Sequence, residues 1–206
     1  MPRGARAKPA HRPSIVVIAG PNGAGKSTAA PALLRGALHV SEFVNADVIA
    51  RGLSAFDPDS VAITAGRIML RRLDELASKR VSFAFETTLA SRHFARWIAK
   101  LKAEGFDFHL AFLWLPDPDA AVLRVATRVR MGGHGVPEDV IRRRYHRGLL
   151  NFFDLYRSLA TTWLFYDSSA PQLPRLVAHG RGGRVMEVLD VATYRAVRKA
   201  LKNAQT

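Results

Sequence analysis

The sequence predicts an α/β three-layer sandwich, with a mainly parallel sheet of five to six strands, helices on both faces and a helical lid. Three observations point to it. Apolar runs of strand length alternate with helical periodicities along the whole chain. The run Phe108–Leu115 is almost wholly apolar, as a strand covered on both faces must be. A glycine-rich loop, Gly20–Thr28, joins the first apolar run to the first helical segment.

Residues 1–13 carry Pro, Gly and basic side chains without periodicity, and are expected to be a disordered tail. Ser14–Ala19 is the first strand, and a helix comes next from about Lys26 to Leu34. Glu42–Asp47 reads as a short second strand with a polar exit. Asp57–Ser60 opens a helix that reaches about Lys79, with Val61, Ala65, Ile68, Met69, Leu73 and Leu76 on one face. Val81–Phe85 is a third strand ending at Glu86, Thr87 and Thr88; a helix over about Arg92–Ala103 stops near Gly105. Phe108–Leu115 is the fourth strand, and Pro116–Asp119 starts a helix that reaches about Arg130. Met131–Val136 is a glycine-rich connection. Pro137 suits the first position of a long helix whose stripe is Ile141, Tyr145, Leu149, Phe152, Tyr156 and Leu159. Trp163–Asp167 is a fifth strand, Gly180–Gly183 turns a hairpin, and a terminal helix closes the chain within 174–204.

With 206 residues and 48% hydrophobic content the chain can bury a core, and one domain over 14–206 is expected. There are 0 cysteines, which excludes a disulfide framework and thiolate metal sites and fits a reducing compartment. No segment approaches the roughly 18 to 20 uninterrupted apolar residues of a membrane span. The apolar run behind the basic N-terminus is short and leads into the glycine-rich loop, so it reads as strand and not as signal sequence, and a cytoplasmic location is expected. A net charge of +14 suits an anionic ligand, an acidic protein or a nucleic acid, or is simply an arginine-rich solvated surface.

The loop itself carries chemistry. Gly20, Pro21, Asn22, Gly23, Ala24, Gly25, Lys26, Ser27 and Thr28 match G-x-x-x-x-G-K-[ST] at every fixed position. Glycines let successive backbone N–H groups turn inward as an anion nest, and the helix behind them adds positive partial charge. Lys26 is placed to reach the β- and γ-phosphates of ATP, and Ser27 to hold Mg²⁺. The predicted architecture is therefore the three-layer fold of P-loop NTPases and kinases. The chain lacks the Leu-Ser-Gly-Gly-Gln-like signature of ABC-type ATPases and the Asn-Lys-x-Asp of GTPases. A small kinase needs only the loop, an acid near the acceptor hydroxyl and a mobile arginine-bearing lid.

Each part has candidates. Asp47 stands either as the group that accepts the acceptor's proton or as a helix-capping residue. Glu86 ends an apolar strand; it contacts substrate, holds Mg²⁺ through water, or accepts backbone N–H groups. Thr88 is a substrate contact or a cap. The stretch of about 128–145 reads as a lid around Gly132 and Gly133. Arg128, Arg130, Arg143 and Arg144 are its candidates for the transferring phosphoryl group, against a solvated helix face such as Glu138 pairing with Arg142. His134 is a phosphate contact or an exposed loop residue.

The combination of Gly20–Thr28, Phe43–Asp47, Phe83–Leu89 and Gly132–Glu138 resembles the zeta toxin family, in particular its chromosomal branch known as predicted ABC-type ATPases. Arg143–Tyr145, Asn151–Phe153 and Tyr166–Ser168 extend the resemblance over about residues 14–170. It implies an ATP-dependent kinase of the sugar 3′-hydroxyl of UDP-N-acetylglucosamine, and a small antitoxin partner that blocks the nucleotide site. It further implies Asp47 as catalytic base and Glu86 as a substrate-side acid, with Lys26 and Ser27 serving phosphate and Mg²⁺. Where those toxins carry an arginine before Pro-x-Glu, this chain has His134, so the phosphate-contacting arginine is expected at Arg128 or Arg130. Their Thr-Leu-Arg reads Thr88-Leu89-Ala90 here. Two rival readings share the loop. One is a kinase of another small acceptor, such as an antibiotic or nucleotide. The other is a basic ATP-dependent nucleic-acid-binding protein, favoured by the charge and by Arg142–Arg144, but without an RNA-binding signature or aromatic platform.

Overall fold

The computed structural model describes residues 12–35, 40–133, 135–170 and 173–203. Strands β1 (Ser14–Ala19), β2 (Glu42–Val44), β3 (Phe83–Thr87), β4 (Asp107–Trp114), β5 (Thr162–Asp167), β6 (Arg175–Arg181) and β7 (Arg184–Val188) form one sheet in the order β2-β3-β1-β4-β5-β6-β7. The pairings from β2 through β5 are parallel, and β5–β6 and β6–β7 are antiparallel. The helices are α1 (Lys26–Arg35), α2 (Ala46–Leu53), α3 (Ala62–Ser78), α4 (His93–Ala103), α5 (Pro118–Arg130), α6 (Glu138–Asn151), α7 (Arg157–Leu159) and α8 (Val191–Asn203).

Every residue of β1 is buried. Ile15, Val17 and Ala19 enter a core with α3, α4 and α8, whereas Val16 and Ile18 enter a second core with α1, α5 and the start of α6. Period-2 alternation is therefore invisible in the sequence of β1, because both of its faces are apolar. After β1 the chain passes to one side of the sheet and later returns to β4 on the other side. The C-terminal end of β1 is thus the topological switch point, where ligands of such sheets bind.

Four differences from the sequence expectation have physical causes. The sheet has seven strands, not five to six, because the C-terminal hairpin adds β6 and β7 to the edge at β5. The second strand stops at Val44, and Asn45 caps a helix of eight residues that the short apolar pattern did not reveal. The long helix after Pro137 is not α-helical throughout: Phe152–Tyr156 forms a π turn. The wider turn brings Phe152, Phe153 and Tyr156 all into the core, with Phe152 4.9 Å from the Phe112 ring. Residues 1–11 of the expected tail lie outside the described residues, but Pro13 is buried and its carbonyl accepts from Asp107 N at 2.9 Å.

Helix α6 lies hard against the turn after β3. A methyl group at Gly148 would come within 2.2 Å of the Thr88 carbonyl oxygen. Gly148→Ala is therefore expected to cost about 1–3 kcal/mol through overpacking, despite the better helix propensity of alanine. A denaturant titration checks this; unchanged or raised stability would refute the close approach.

Candidate functional site

The loop after β1 adopts the conformation that its glycines allow. Gly20, Gly23 and Gly25 have φ of 144°, 79° and 75°. At Gly20 a Cβ would also lie 2.3 Å from the Leu113 carbonyl oxygen, so the loop is seated directly on β4. Ser168 Oγ, just beyond β5, donates to the Ala24 carbonyl at 2.8 Å and braces the loop from the side. Lys26 Nζ folds back over the loop and donates to the carbonyls of Gly20 (3.0 Å) and Pro21 (2.9 Å).

The neighbouring strand delivers the acid. The β1–β3 register sets Ile18 beside Glu86, so Glu86 emerges next to the loop. Both carboxylate oxygens accept from Ser27 Oγ, at 2.9 and 3.1 Å. The buried Asn45 completes the group. Its Oδ1 accepts from the backbone N–H of Asp47 (2.7 Å) and of Val48 (3.2 Å), and its Nδ2 donates to Ser27 Oγ (3.4 Å). The cap of α2 is thus Asn45, which leaves the Asp47 carboxylate on the first helical turn to face the cavity.

Two cavities meet here. One, of about 610 Å³, is lined by the loop from Asn22 to Thr28, by Asp47 and Glu86, and by Arg51, Arg124 and Arg128. The other, of about 560 Å³, lies between α2, the start of α3 and the connection into α6; Asp47, Asp59, Pro58, Val140 and Arg144 line it. Asn22 and Asp47 belong to both walls. The first cavity is rich in cations and in loop amides, as a polyphosphate requires. The second is smaller in charge and more apolar. Burial pushes the Lys26 ammonium below the usual lysine pKa; Glu86 and Asp47 pull it back up, while Arg128 and Arg144 lower it further.

The structure sorts the expected lid residues. Arg128 lines the first cavity. Arg144 lines the second, on the same helix face as Val140 four residues earlier. Arg130 is brought to neither: it is exposed and donates to Thr127 Oγ1 at 3.2 Å on its own helix. Residues two apart on a helix point to different sides, and here Arg128 turns to the cavity while Arg130 does not. Arg143 pairs with Asp139 at 3.4 Å, and Arg142 joins Glu138 (2.7 Å) to Asp119 (2.6 Å), which clasps α6 to α5. Thr88 does not line either cavity; its hydroxyl accepts from Ala90 N at 3.5 Å in the tight turn where Leu89 has φ of 56°. His134 lies outside the described residues.

Sequence reasoning gave no role to two residues of the site. Asn45 is visible only as an Asx residue at a strand exit, a signal for a cap. Arg124 bridges the carbonyls of Ser169 (2.6 Å) and Gly23 (3.5 Å), and nothing in the local sequence marks that contact.

The sheet order, the loop at the switch point and the two-cavity site define an α/β P-loop kinase fold. Residues 15–152 match the AAA domain family, and the chain belongs to it. An uncharacterized protein of Haemophilus influenzae is 27% identical over 130 residues, which is 63% of this chain and 91% of the relative. Among solved structures, the AvrRxo1-ORF1:-ORF2 complex with ATP is similar with a TM-score of 0.68 at 16% identity, covering 91% of this chain. This chain spans 64% of the length of the chain that it matches there. The PezAT chromosomal toxin–antitoxin system of Streptococcus pneumoniae gives a TM-score of 0.63 at 17% identity, covering 96% of this chain and 88% of the other. At these identities the likeness is one of fold.

Lys26 supplies a test of the cavity. Its lowered pKa means that it loses its proton at a lower pH than a free lysine does, and a bound triphosphate opposes that loss. ATP binding at alkaline pH should therefore take up protons, and affinity should fall as pH rises through the Lys26 pKa. Calorimetry in buffers of different ionisation enthalpy reads this directly. Lys26→Met should abolish the uptake; proton release by the unmodified protein would contradict the assignment.

Proposed function

We propose that the protein is an ATP·Mg²⁺-dependent kinase that transfers the γ-phosphoryl group to a hydroxyl of a small acceptor. The observation that carries this reading is the sharing of Asp47 and Asn22 by two cavities, one cationic and loop-lined, the other fit for an acceptor. ATP occupies the first, its phosphates held by the loop amides of Gly20–Thr28 and by Lys26. The acceptor occupies the second. Asp47 takes the hydroxyl proton as the acceptor oxygen attacks the γ-phosphorus. The bond from that phosphorus to the bridging oxygen breaks, and ADP leaves with the electron pair.

Ser27 and Glu86 form an oxygen-only pair that fits a hard cation such as Mg²⁺. Among the described residues no group of three or more His, Asp or Glu side chains could hold a metal, so Ser27 and Glu86 would hold the ion together with the bound nucleotide. The ion, when bound, neutralises phosphate charge. Arg128 and Arg144 approach from the two cavities and stabilise the charge on the transferring group by bidentate contact. Asn45 positions both Ser27 and Asp47 without touching the reacting atoms.

UDP-N-acetylglucosamine is the lead acceptor and a small antitoxin the lead partner, both on the zeta toxin resemblance; the PezAT structure, similar in fold, comes from a toxin–antitoxin system, in keeping with such a partner. The absence of any helix long and apolar enough to cross a membrane, among the described residues, is in keeping with a cytoplasmic enzyme.

Asp47→Asn keeps size and hydrogen bonding but removes the base. It should lower the rate of phosphoryl transfer by about 10²–10⁴-fold while ATP binds as before. Single-turnover kinetics together with a nucleotide-binding titration check this. Wild-type turnover in that variant would remove Asp47 from the mechanism.

A further inference from the structure

At the other end of the strands from the P-loop, the core of α1, α5 and α6 stops short of the sheet's edge. Among the described residues no helix covers the corresponding face of β5, β6 and β7, and α8 packs on the opposite face through Val197 and Leu201. The cause is topological. Parallel strands are joined by crossover helices that cover a face, whereas β5, β6 and β7 pair antiparallel, and antiparallel neighbours need no such helix. The result is a groove of about 620 Å³ between the end of α1 and the hairpin, floored by Val16, Ala111 and Leu164 and flanked by Leu33 and Met186. Met186 is 61% exposed.

The rim of this groove is cationic. Arg181 and Arg184 are paired across the hairpin, both are exposed, and neither has an ion-pair partner among the described residues. The neighbouring acid Glu187 is engaged by His179 at 3.1 Å.

We propose that this groove docks an amphipathic helix of a second protein, its apolar stripe on Leu164 and Met186 and its acidic flank on Arg181 and Arg184. The position is that of the crossover helix which the hairpin replaces, so a helix satisfies the uncovered face. The charge selects the partner. A second copy of this chain, at +14, or a basic helix would set like charge against the rim. A nucleic acid would match the rim but not the apolar floor. The groove shares no lining residue with the two cavities at Asp47, so the proposal stands apart from the kinase reading.

The chain has 0 cysteines, so Met186→Cys installs a single reporter thiol in the 206-residue chain. The probes are two synthetic helical peptides of about five turns with the same leucine stripe, one carrying glutamate and the other lysine on the remaining positions. At about nine times its Kd the acidic peptide should slow alkylation of the thiol about tenfold, the mark of roughly nine-tenths occupancy, and the basic peptide at the same concentration should not. Leu164→Glu should abolish the protection. Arg181→Glu with Arg184→Glu, a change confined to exposed positions, should transfer it to the basic peptide. Four results overturn the proposal: no protection by the acidic peptide; equal protection by both; alkylation that slows with protein concentration alone, which marks self-association; and faster alkylation after removal of residues 1–11, which marks the chain's own tail as occupant.

Discussion

Strand β1 is hydrogen-bonded to β3 on one side and β4 on the other, and both of its faces are buried. It therefore has no freedom to shift, and the loop and helix behind it inherit that fixity. The loop after Ala19 turns at Gly20 against the β4 carbonyl of Leu113, too close for any side chain. The β3 register then sets Glu86 beside the loop, and Ser27 of α1 meets it. From Ser27 the chain of contacts runs through Asn45 to the first turn of α2, and so to Asp47. One strand buried on two faces thus positions four site residues drawn from three different segments of sequence.

The electrostatics arise from the same placement. Lys26 sits in a partly desolvated loop, so its charged form is disfavoured, and the two carboxylates nearby restore it only in part. Two arginines add to that repulsion. A polyphosphate bound there offsets both the desolvation of Lys26 and its repulsion by the two arginines. The second cavity offers less charge, as suits a substrate bound through shape and a few polar contacts.

Much of this was legible in the sequence where the chemistry is contiguous. The loop lies in nine consecutive residues, and Asp47 and Glu86 stand at or just past strand ends, where parallel sheets put function. The features that could not be read depend on distant contacts. Asn45 matters because Ser27 is 18 residues away in sequence and within hydrogen-bonding distance in space. For Thr88, two residues past Glu86, the sequence left substrate contact and capping open, and its hydroxyl accepts from Ala90 N in the turn at Leu89. Helical phase separates Arg128 from Arg130, and the packing of α6 on α5 separates Arg144, which reaches a cavity, from Arg142 and Arg143, which do not. The π turn at Phe152 and the addition of the hairpin to the sheet were hidden because aromatic packing and edge pairing leave no local periodicity.

The central claim is that the two cavities joined at Asp47 are the donor and acceptor halves of one kinase site. Phosphorus NMR of the protein with ATP and Mg²⁺ tests it, first with UDP-N-acetylglucosamine and then with other hydroxylated acceptors, against a sample without acceptor. The account predicts that ADP forms only in step with a new phosphomonoester signal, and only when an acceptor is present. ADP and inorganic phosphate released at the same rate with and without acceptors would contradict it.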